Sequence, residues 1–575
     1  MTLNSYSRSE HLRSLWPWLP LWAAAALLAI FAHGPMPLYS TRTLAVAWEM
    51  WNQHHWLVPH INGEPYSEKA PLLFWLIHAG WFVFGVSDVW PRVLEVGFGG
   101  VELVLVSMLA RRLFPARPWM AKAAPWTLLA LSYAFLFGLQ IMYDVLLAAW
   151  ALGALLCLAP TSRRDEPRWW GFGLCIGFGL LTKGPVMLLH VAFPWLLGPL
   201  WSDFARGHRA RWYGRGALAV LLGLAMLLAW ALPAGFAGGE AYMHRLFFSQ
   251  TAARVIHGVQ TAEPLQSHAR PVLWYVLMLP ALLFPFIGWP RAWVALAALR
   301  RPLEPGLRFA LTWVVPTFLV FSLVRGKQLY YLLPELAGTM LLLCAAIATL
   351  RERRPKLAGT AWLGTWPLGV GSLAFATLLF VLPNLVAGNH LHGEWPDACA
   401  PYSRYFAVVF LLLGLLLLLR GRGELRRLAV AGLVATLALN ALFTLTLWPH
   451  YDLRPTSLLL GAAQQAGHEV GYLGNYEGQF HFQGRLLRPI AELRSDAQLA
   501  AFATAHPDGL VVEHPSKVDP QALRYALLVQ PFRSTWLVVW PAATIADLRS
   551  GTTPPEPVQP PQVYTADGAR ARPQR

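Results

Sequence analysis

The sequence predicts an α-helical polytopic membrane protein that ends in a small α/β unit, and three observations carry that prediction. Hydrophobic residues make up 56% of the 575 positions and charged residues only 13%, a balance that a soluble domain cannot easily sustain but a chain crossing a bilayer must. Basic residues fall in short stretches between apolar runs: Arg8 and Arg13, Arg111-Arg112, Arg163-Arg164, Arg206 to Arg215, Arg291 with Arg300-Arg301, Arg351 to Lys356, and Arg420 to Arg427. After Trp448 the composition becomes that of a soluble domain. The formal net charge of +16 would suggest nucleic acid if it covered one solvated face. Spread through short loops it is instead the positive-inside pattern, and no nucleic-acid partner is expected.

The first apolar run, Leu15 to Ala32, follows Arg8 and Arg13 and lacks a small-residue cleavage site, so it reads as a retained transmembrane helix. Segments of spanning length follow at 91–110, 118–138, 142–160, 169–182, 185–201, 214–234, 271–295, 306–324, 329–350, 360–385, 403–420 and 427–448. The total is about thirteen crossings. With a cytoplasmic N-terminus, an odd number puts everything after Trp448 outside a bacterial inner membrane. Pro71 to Gly85 is apolar but short; counted as a span it would put Arg111-Arg112 on the wrong side, so an interfacial or re-entrant helix is expected.

Three external segments exceed a simple turn. The first, residues 33–92, contains Thr41 to Gln53 with Leu44, Ala47, Trp48 and Trp51 at helical spacing, the pattern of a helix lying on the membrane surface. The second runs from Gly235 to Arg270. The third, Ala387 to Arg404, carries His390, His392, Glu394 and Asp397 and reads as a solvated loop. Residues 1–450 thus form a membrane domain and 451–551 a soluble unit. In the latter, His468 to Gly474, Gly509 to Glu513 and Thr535 to Val539 look like strands and Asp496 to Ala505 like a helix. The Pro-rich tail, 552–575, is expected to be disordered. Cys157, Cys175 and Cys344 lie in apolar runs and Cys399 stands alone, so no disulfide framework or CxxC motif exists.

Ionisable residues collect on the external face. Three of the six lysines, Lys69, Lys183 and Lys327, fall at external ends of apolar segments, where positive-inside bias does not ask for them. Each alone could be a snorkelling side chain. Together they make a site for a lipid phosphate, which they could hold and neutralise as it leaves. Asp144 opens the segment Ile141 to Leu158; a carboxylate at that depth is costly and is either functional or placed by the helix dipole. Glu68 beside Lys69 is either an exposed ion pair or a donor-binding or metal-ligating group. With His268 it could hold a divalent metal such as zinc, although two ligands distant in sequence make a weak set. No nucleotide-sugar motif of the G-x-G-x-x-G or Walker type follows a strand, which favours a lipid-linked donor.

Trp48-Glu49-Met50, then the run Leu57-Val58-Pro59-His60-Ile61-Asn62-Gly63-Glu64-Pro65-Tyr66-Ser67-Glu68-Lys69-Ala70-Pro71 to Leu76, resembles the first external loop of the GT-C glycosyltransferases. Within them it is most similar to bacterial lipid A aminoarabinose transferases and their relatives in the protein O-mannosyltransferase superfamily. Asp144, Leu181-Thr182-Lys183-Gly184-Pro185, His268 with Pro271 and Trp274-Tyr275, and Lys327 with Tyr331-Leu332-Leu333-Pro334 continue the match in family order over residues 15–450. The resemblance implies a GT-C membrane enzyme that moves a sugar from a polyprenyl-phosphate donor to a lipid or glycan acceptor such as lipid A. It implies that Lys69 contacts the donor phosphate, with Lys183 and Lys327 lining the same cavity; Tyr66, Glu68, Tyr331 and Arg42 or Arg254 are further candidate substrate-binding residues.

The chain departs from the family at one place. Family members carry an Asp-Glu pair shortly before the Arg that opens the first surface helix, whereas Leu38-Tyr39-Ser40-Thr41 precedes Arg42 here. Asp144 or Glu49 then serves as the base, or the protein binds lipid without turnover as a scaffold. A lipid-linked sugar transporter is a further rival; it would place charges near the midplane in repeated halves, and no repeat is visible.

Overall fold

The computed structural model describes residues 17–132, 140–162, 164–249, 270–299, 302–391, 393–421, 423–555 and 562–563. Among the described residues, seven helical segments are long and apolar enough to cross a membrane: Val89–Leu113, Arg209–Gly238, Pro305–Leu323, Leu329–Arg353, Trp366–Ala387, Trp395–Leu418 and Glu424–Thr446. Shorter apolar helices include Leu19–Phe31, Leu72–Phe84, Tyr143–Leu158 and Val186–Leu196. The helix Leu333–Arg353 runs through the middle of the bundle with nearly every side chain buried. Small residues allow close approach elsewhere: a Cβ on Gly432 would lie 2.3 Å from the carbonyl oxygen of Ala130 on the neighbouring helix.

Several expectations change. The segment 271–295 is not one span; it is broken into Trp274–Leu282, a short turn at Phe286–Gly288, and Pro290–Ala297. Pro285 and Pro290 lack the N–H that a continuous helix needs there. The third external segment is not all loop, because a helix begins at Glu394 and runs to Leu418. Asp397 lies in its first turn and accepts from the Gly393 N–H at 3.2 Å, a favourable place for an acid. His392 lies outside the described residues.

The bundle has two chemically different ends. At one, Arg112 closes the helix Val89–Leu113 by donating to the Ala159 carbonyl at 3.1 Å. Arg117 there pairs with Glu304 at 2.5 Å and Glu352 at 2.7 Å, and Arg211 and Arg215 hold Glu166. Arg291 is buried against Glu424 at 2.6 Å and donates to the Thr360 carbonyl. The basic stretches that fall among the described residues therefore share one end, as loop-charge asymmetry requires.

The opposite end carries the segment 33–92. Its helix Ser40–Asn52 buries Leu44 and Ala47 as well as Val46 and Met50, so it is covered on more sides than a surface helix would be. Leu72–Phe84 packs beside it, His78 meeting the Ala47 carbonyl, and leaves Phe82, Val83 and Phe84 exposed, as suits an interfacial helix. Between them, β1 (His60–Ile61) and β2 (Glu64–Pro65) form a hairpin turned by Asn62 and Gly63, at φ of 54° and 82°. Both turn residues need positive φ, which Asn-Gly supplies.

The C-terminal unit is a six-stranded mixed sheet: β3 (Val470–Leu473), β4 (Ala491–Leu493), β5 (Leu510–Glu513), β6 (Leu528–Phe532), β7 (Thr535–Pro541) and β8 (Gln562–Val563), ordered β4-β3-β5-β7-β6-β8. Side-chain alternation fills both faces. Val470, Leu510, Val512, Leu537 and Val539 share one core with Leu460 of the helix Arg454–Gln465. Val511, Val529, Val538 and Trp540 share the other with Leu499 and Ile545, from helices Asp496–Ala505 and Ala542–Ser550. In the tail, Gln562–Val563 pairs with Leu528-Val529 rather than lying apart from the fold.

Candidate active site

The site is built where helix ends meet. Asp144 lies in the first turn of Tyr143–Leu158, and Lys183 is the last residue of the neighbouring Trp169–Lys183. Gly184, at φ 72°, turns the chain there into the next helix. Lys183 Nζ donates to Asp144 Oδ1 as a charged pair, with Asp144 at 0% exposure and the Lys183 side chain at 8%. Two aromatic rings hold the same ammonium, Tyr331 with its centroid 4.3 Å away and Tyr330 at 5.4 Å. Asp144 Oδ2 is shielded from solvent and has no hydrogen-bond partner among the described residues. An acceptor is thus left for a proton or a hydroxyl that arrives with substrate.

Tyr39, three residues before Arg42, meets Tyr330 edge-on at 5.6 Å. Burial, then the charge of Asp144, holds its phenol well above the ordinary range. It is a neutral donor, not a base. Leu38 beside it adopts φ 69°, a left-handed conformation costly for a branched residue, with its N–H on Thr41 Oγ1 at 2.9 Å.

A second group adjoins the first through consecutive residues. Lys69 Nζ stands 5.9 Å from the ring centroid of Tyr143, the residue before Asp144. The next residue back, Glu68, accepts from the Tyr66 hydroxyl at 3.3 Å and lies 3.9 Å from Arg42 Nη1. Arg42 in turn pairs with Glu477, which the C-terminal unit supplies. Lys69, Tyr66, Glu68, Arg42, Asp144, Lys183 and Tyr331 therefore form one linked array of charge and aromatic surface.

Other expected site residues lie elsewhere or play different parts. Lys327 is buried and donates to the carbonyls of Arg270 and Val324, so it ties the chain at the mouth of Pro305–Leu323. Glu49 makes no contact with the array. Its carboxylate accepts from the Gly63 N–H at 2.7 Å and borders a small cavity with His481, Arg488 and Pro489 beneath the C-terminal unit, where burial raises its pKa. The described partners of Glu68 are a phenol and a guanidinium, and among the described residues no group of three His, Cys, Asp or Glu side chains is arranged to hold a metal. Arg254 and His268 lie outside the described residues.

Two further features belong to the site's surroundings. His190 Nδ1 and Glu335 Oε1 form a buried 2.7 Å pair. Two ionisable residues inside apolar runs, His190 two turns after Lys183 and Glu335 four residues after Tyr331, were the available signal. Glu477 had none, since its pairing with Arg42 spans 435 positions.

Comparison with known proteins agrees with this architecture. Residues 68–230 match the family described as dolichyl-phosphate-mannose-protein mannosyltransferase. The chain is 26% identical over 385 residues to an undecaprenyl phosphate-α-4-amino-4-deoxy-L-arabinose arabinosyl transferase of Proteus mirabilis, covering 64% of this chain and 66% of the relative. It is 30% identical over 373 residues to such a transferase of Pseudomonas fluorescens, covering 62% and 63%. The matched region is thus just under two thirds of these relatives' own lengths. The crystal structure of ArnT from Cupriavidus metallidurans bound to undecaprenyl phosphate superimposes with a TM-score of 0.64 at 21% identity, over 91% of this chain and 97% of that one. The likeness shows that the chain shares the fold of that structure.

Proposed function

We propose that this protein transfers a sugar from a polyprenyl-phosphate donor to lipid A or another envelope acceptor at the outer face of a bacterial inner membrane. The observation that carries the proposal is the Asp144–Lys183 pair set under Tyr330 and Tyr331 beside Lys69. In the transfer, an acceptor oxygen bonds to the anomeric carbon as the bond from that carbon to the phosphate oxygen breaks. Asp144 takes the acceptor proton. Once protonated, Asp144 holds Lys183 less strongly, and the ammonium becomes available to the phosphate as negative charge develops on it. Lys69 and Arg42 complete the anion site, with Arg254 an additional contact. A divalent ion held by Glu68 and His268 would be an accessory to this site. The names of the relatives favour undecaprenyl phosphate-linked aminoarabinose as donor.

We also infer about thirteen crossings, a cytoplasmic N-terminus, and a periplasmic domain over 451–551, in keeping with the basic end described above. A scaffold that binds lipid without turnover is the second reading, favoured by the run Leu38-Tyr39-Ser40-Thr41 before Arg42, which lacks the Asp-Glu pair of the resembling family. Mass spectrometry of lipid A and envelope glycans, from cells with and without the protein, tests the transferase reading. A mass increment of one sugar that depends on the protein is expected. Identical profiles in both strains, with donor supplied, would favour the scaffold.

A further inference from the structure

Arg42 belongs to two units at once. It opens the helix Ser40–Asn52 at the edge of the array, and its guanidinium pairs with Glu477 while lying 3.9 Å from Glu68. Its Nε is shielded from solvent and has no hydrogen-bond partner among the described residues. Two carboxylates thus compete for one cation that still has a donor to offer.

Glu477 is held firmly in place. Its own N–H donates to Gln479 Oε1 at 3.0 Å, and the flanking Tyr476 is buried, its hydroxyl bonded to the Phe480 N–H and to His481. Gly478, at φ 78°, packs so close to the β1–β2 hairpin that a Cβ would fall 2.9 Å from Ile61 Cδ1. Asn62 exchanges two hydrogen bonds with Ile490, and Trp48 Nε1 donates to the Leu486 carbonyl at 2.8 Å. The C-terminal unit is therefore docked on the first external segment, with one carboxylate aimed at the anion site.

We infer that Glu477 is a positioning residue that limits how tightly the site holds the lipid phosphate, by keeping Arg42 engaged until an anion displaces it. This rests on the donor-site reading above. Because the pair is partly exposed, it is weak enough to exchange with a phosphate oxygen. Occupying Arg42 lowers affinity by the fraction of time the guanidinium is taken. It also lets the lipid phosphate product leave, a step that sets turnover in many enzymes.

The test is binding of undecaprenyl phosphate to the purified full chain in nanodiscs, together with steady-state kinetics. Glu477→Gln should bind the lipid about three-fold tighter or more, with a lower KM for donor and a lower kcat. Glu477→Asp, with a shorter carboxylate, should fall between. A merely structural Glu477 would instead raise KM in both variants, and unchanged or weaker lipid binding in folded Glu477→Gln overturns the inference. Arg42→Ala separates the two claims. If it binds lipid as tightly as wild type, Arg42 is not part of the anion site and the inference fails, while Lys69→Ala tests the donor-site reading by itself; if it binds weakly while Glu477→Gln equals wild type, only the role of Glu477 fails.

Discussion

At the scale of single residues, the site depends on how each charge is paired. Lys69 lies beside Tyr143, at the end of the bundle opposite the basic stretches, where a charge-assisted phosphate contact is worth roughly 1.5–3 kcal/mol. Lys69→Ala should therefore weaken undecaprenyl phosphate binding about ten-fold or more, measured by titration in nanodiscs. Lys356→Ala, at the basic end, should change it little; equal losses in the two variants would remove Lys69 from the site. Tyr39 supplies a second test. It stands against Tyr330, and through that ring against Lys183, so Tyr39→Asp adds a carboxylate near an existing cation. If Asp144 already serves as base, that variant should change transfer only modestly. If the wild type is a scaffold, only Tyr39→Asp could show transfer at all.

At the scale of elements, buried pairs hold the ends of the bundle in register. Glu424 accepts from Arg291 at 2.6 Å and from Trp289 Nε1 at 3.2 Å, all three buried. Glu424→Ala would leave a guanidinium buried without its partner, a loss on the order of 3–5 kcal/mol. Removing the exposed Arg206–Asp203 pair should stay within about 0.5 kcal/mol. Thermal unfolding in detergent should show a clear drop in Tm for the first and almost none for Arg206→Ala; similar shifts would contradict the structural role of Glu424. Most elements were legible in the sequence because each is specified locally. The apolar runs near 91–110, 306–324 and 427–448 became helices, and Asp496–Ala505 is the helix expected there. The break at Phe286–Gly288 was missed because hydropathy does not register lost N–H groups, although Pro285 and Pro290 were in view. The β1–β2 hairpin was missed despite its Asn-Gly turn, since two-residue strands carry no periodicity. Lys69, Asp144 and Lys183 were legible as charges at apolar ends. The docking of the C-terminal unit through Glu477 was not, because no local pattern marks a contact so distant in sequence.

At the scale of the whole molecule, charge asymmetry and docking agree. The described basic stretches share one end, while the first external segment and the C-terminal sheet share the other. A reporter active only outside the cytoplasm should therefore be active when fused after Ser550 and inactive when fused at Arg354; the reverse pattern would separate the array from the face where the acceptor waits. The central claim concerns the Asp144–Lys183 pair, and one measurement tests it most directly. Steady-state transfer from undecaprenyl phosphate-linked aminoarabinose is to be followed with purified wild type and Asp144→Asn. The amide preserves size and much of the hydrogen bonding but cannot accept the proton, so turnover should fall on the order of 10² or more, while the chain still folds and lipid binding is kept or tightened as Lys183 is released to the phosphate. Robust wild-type turnover that Asp144→Asn leaves unchanged would contradict the claim.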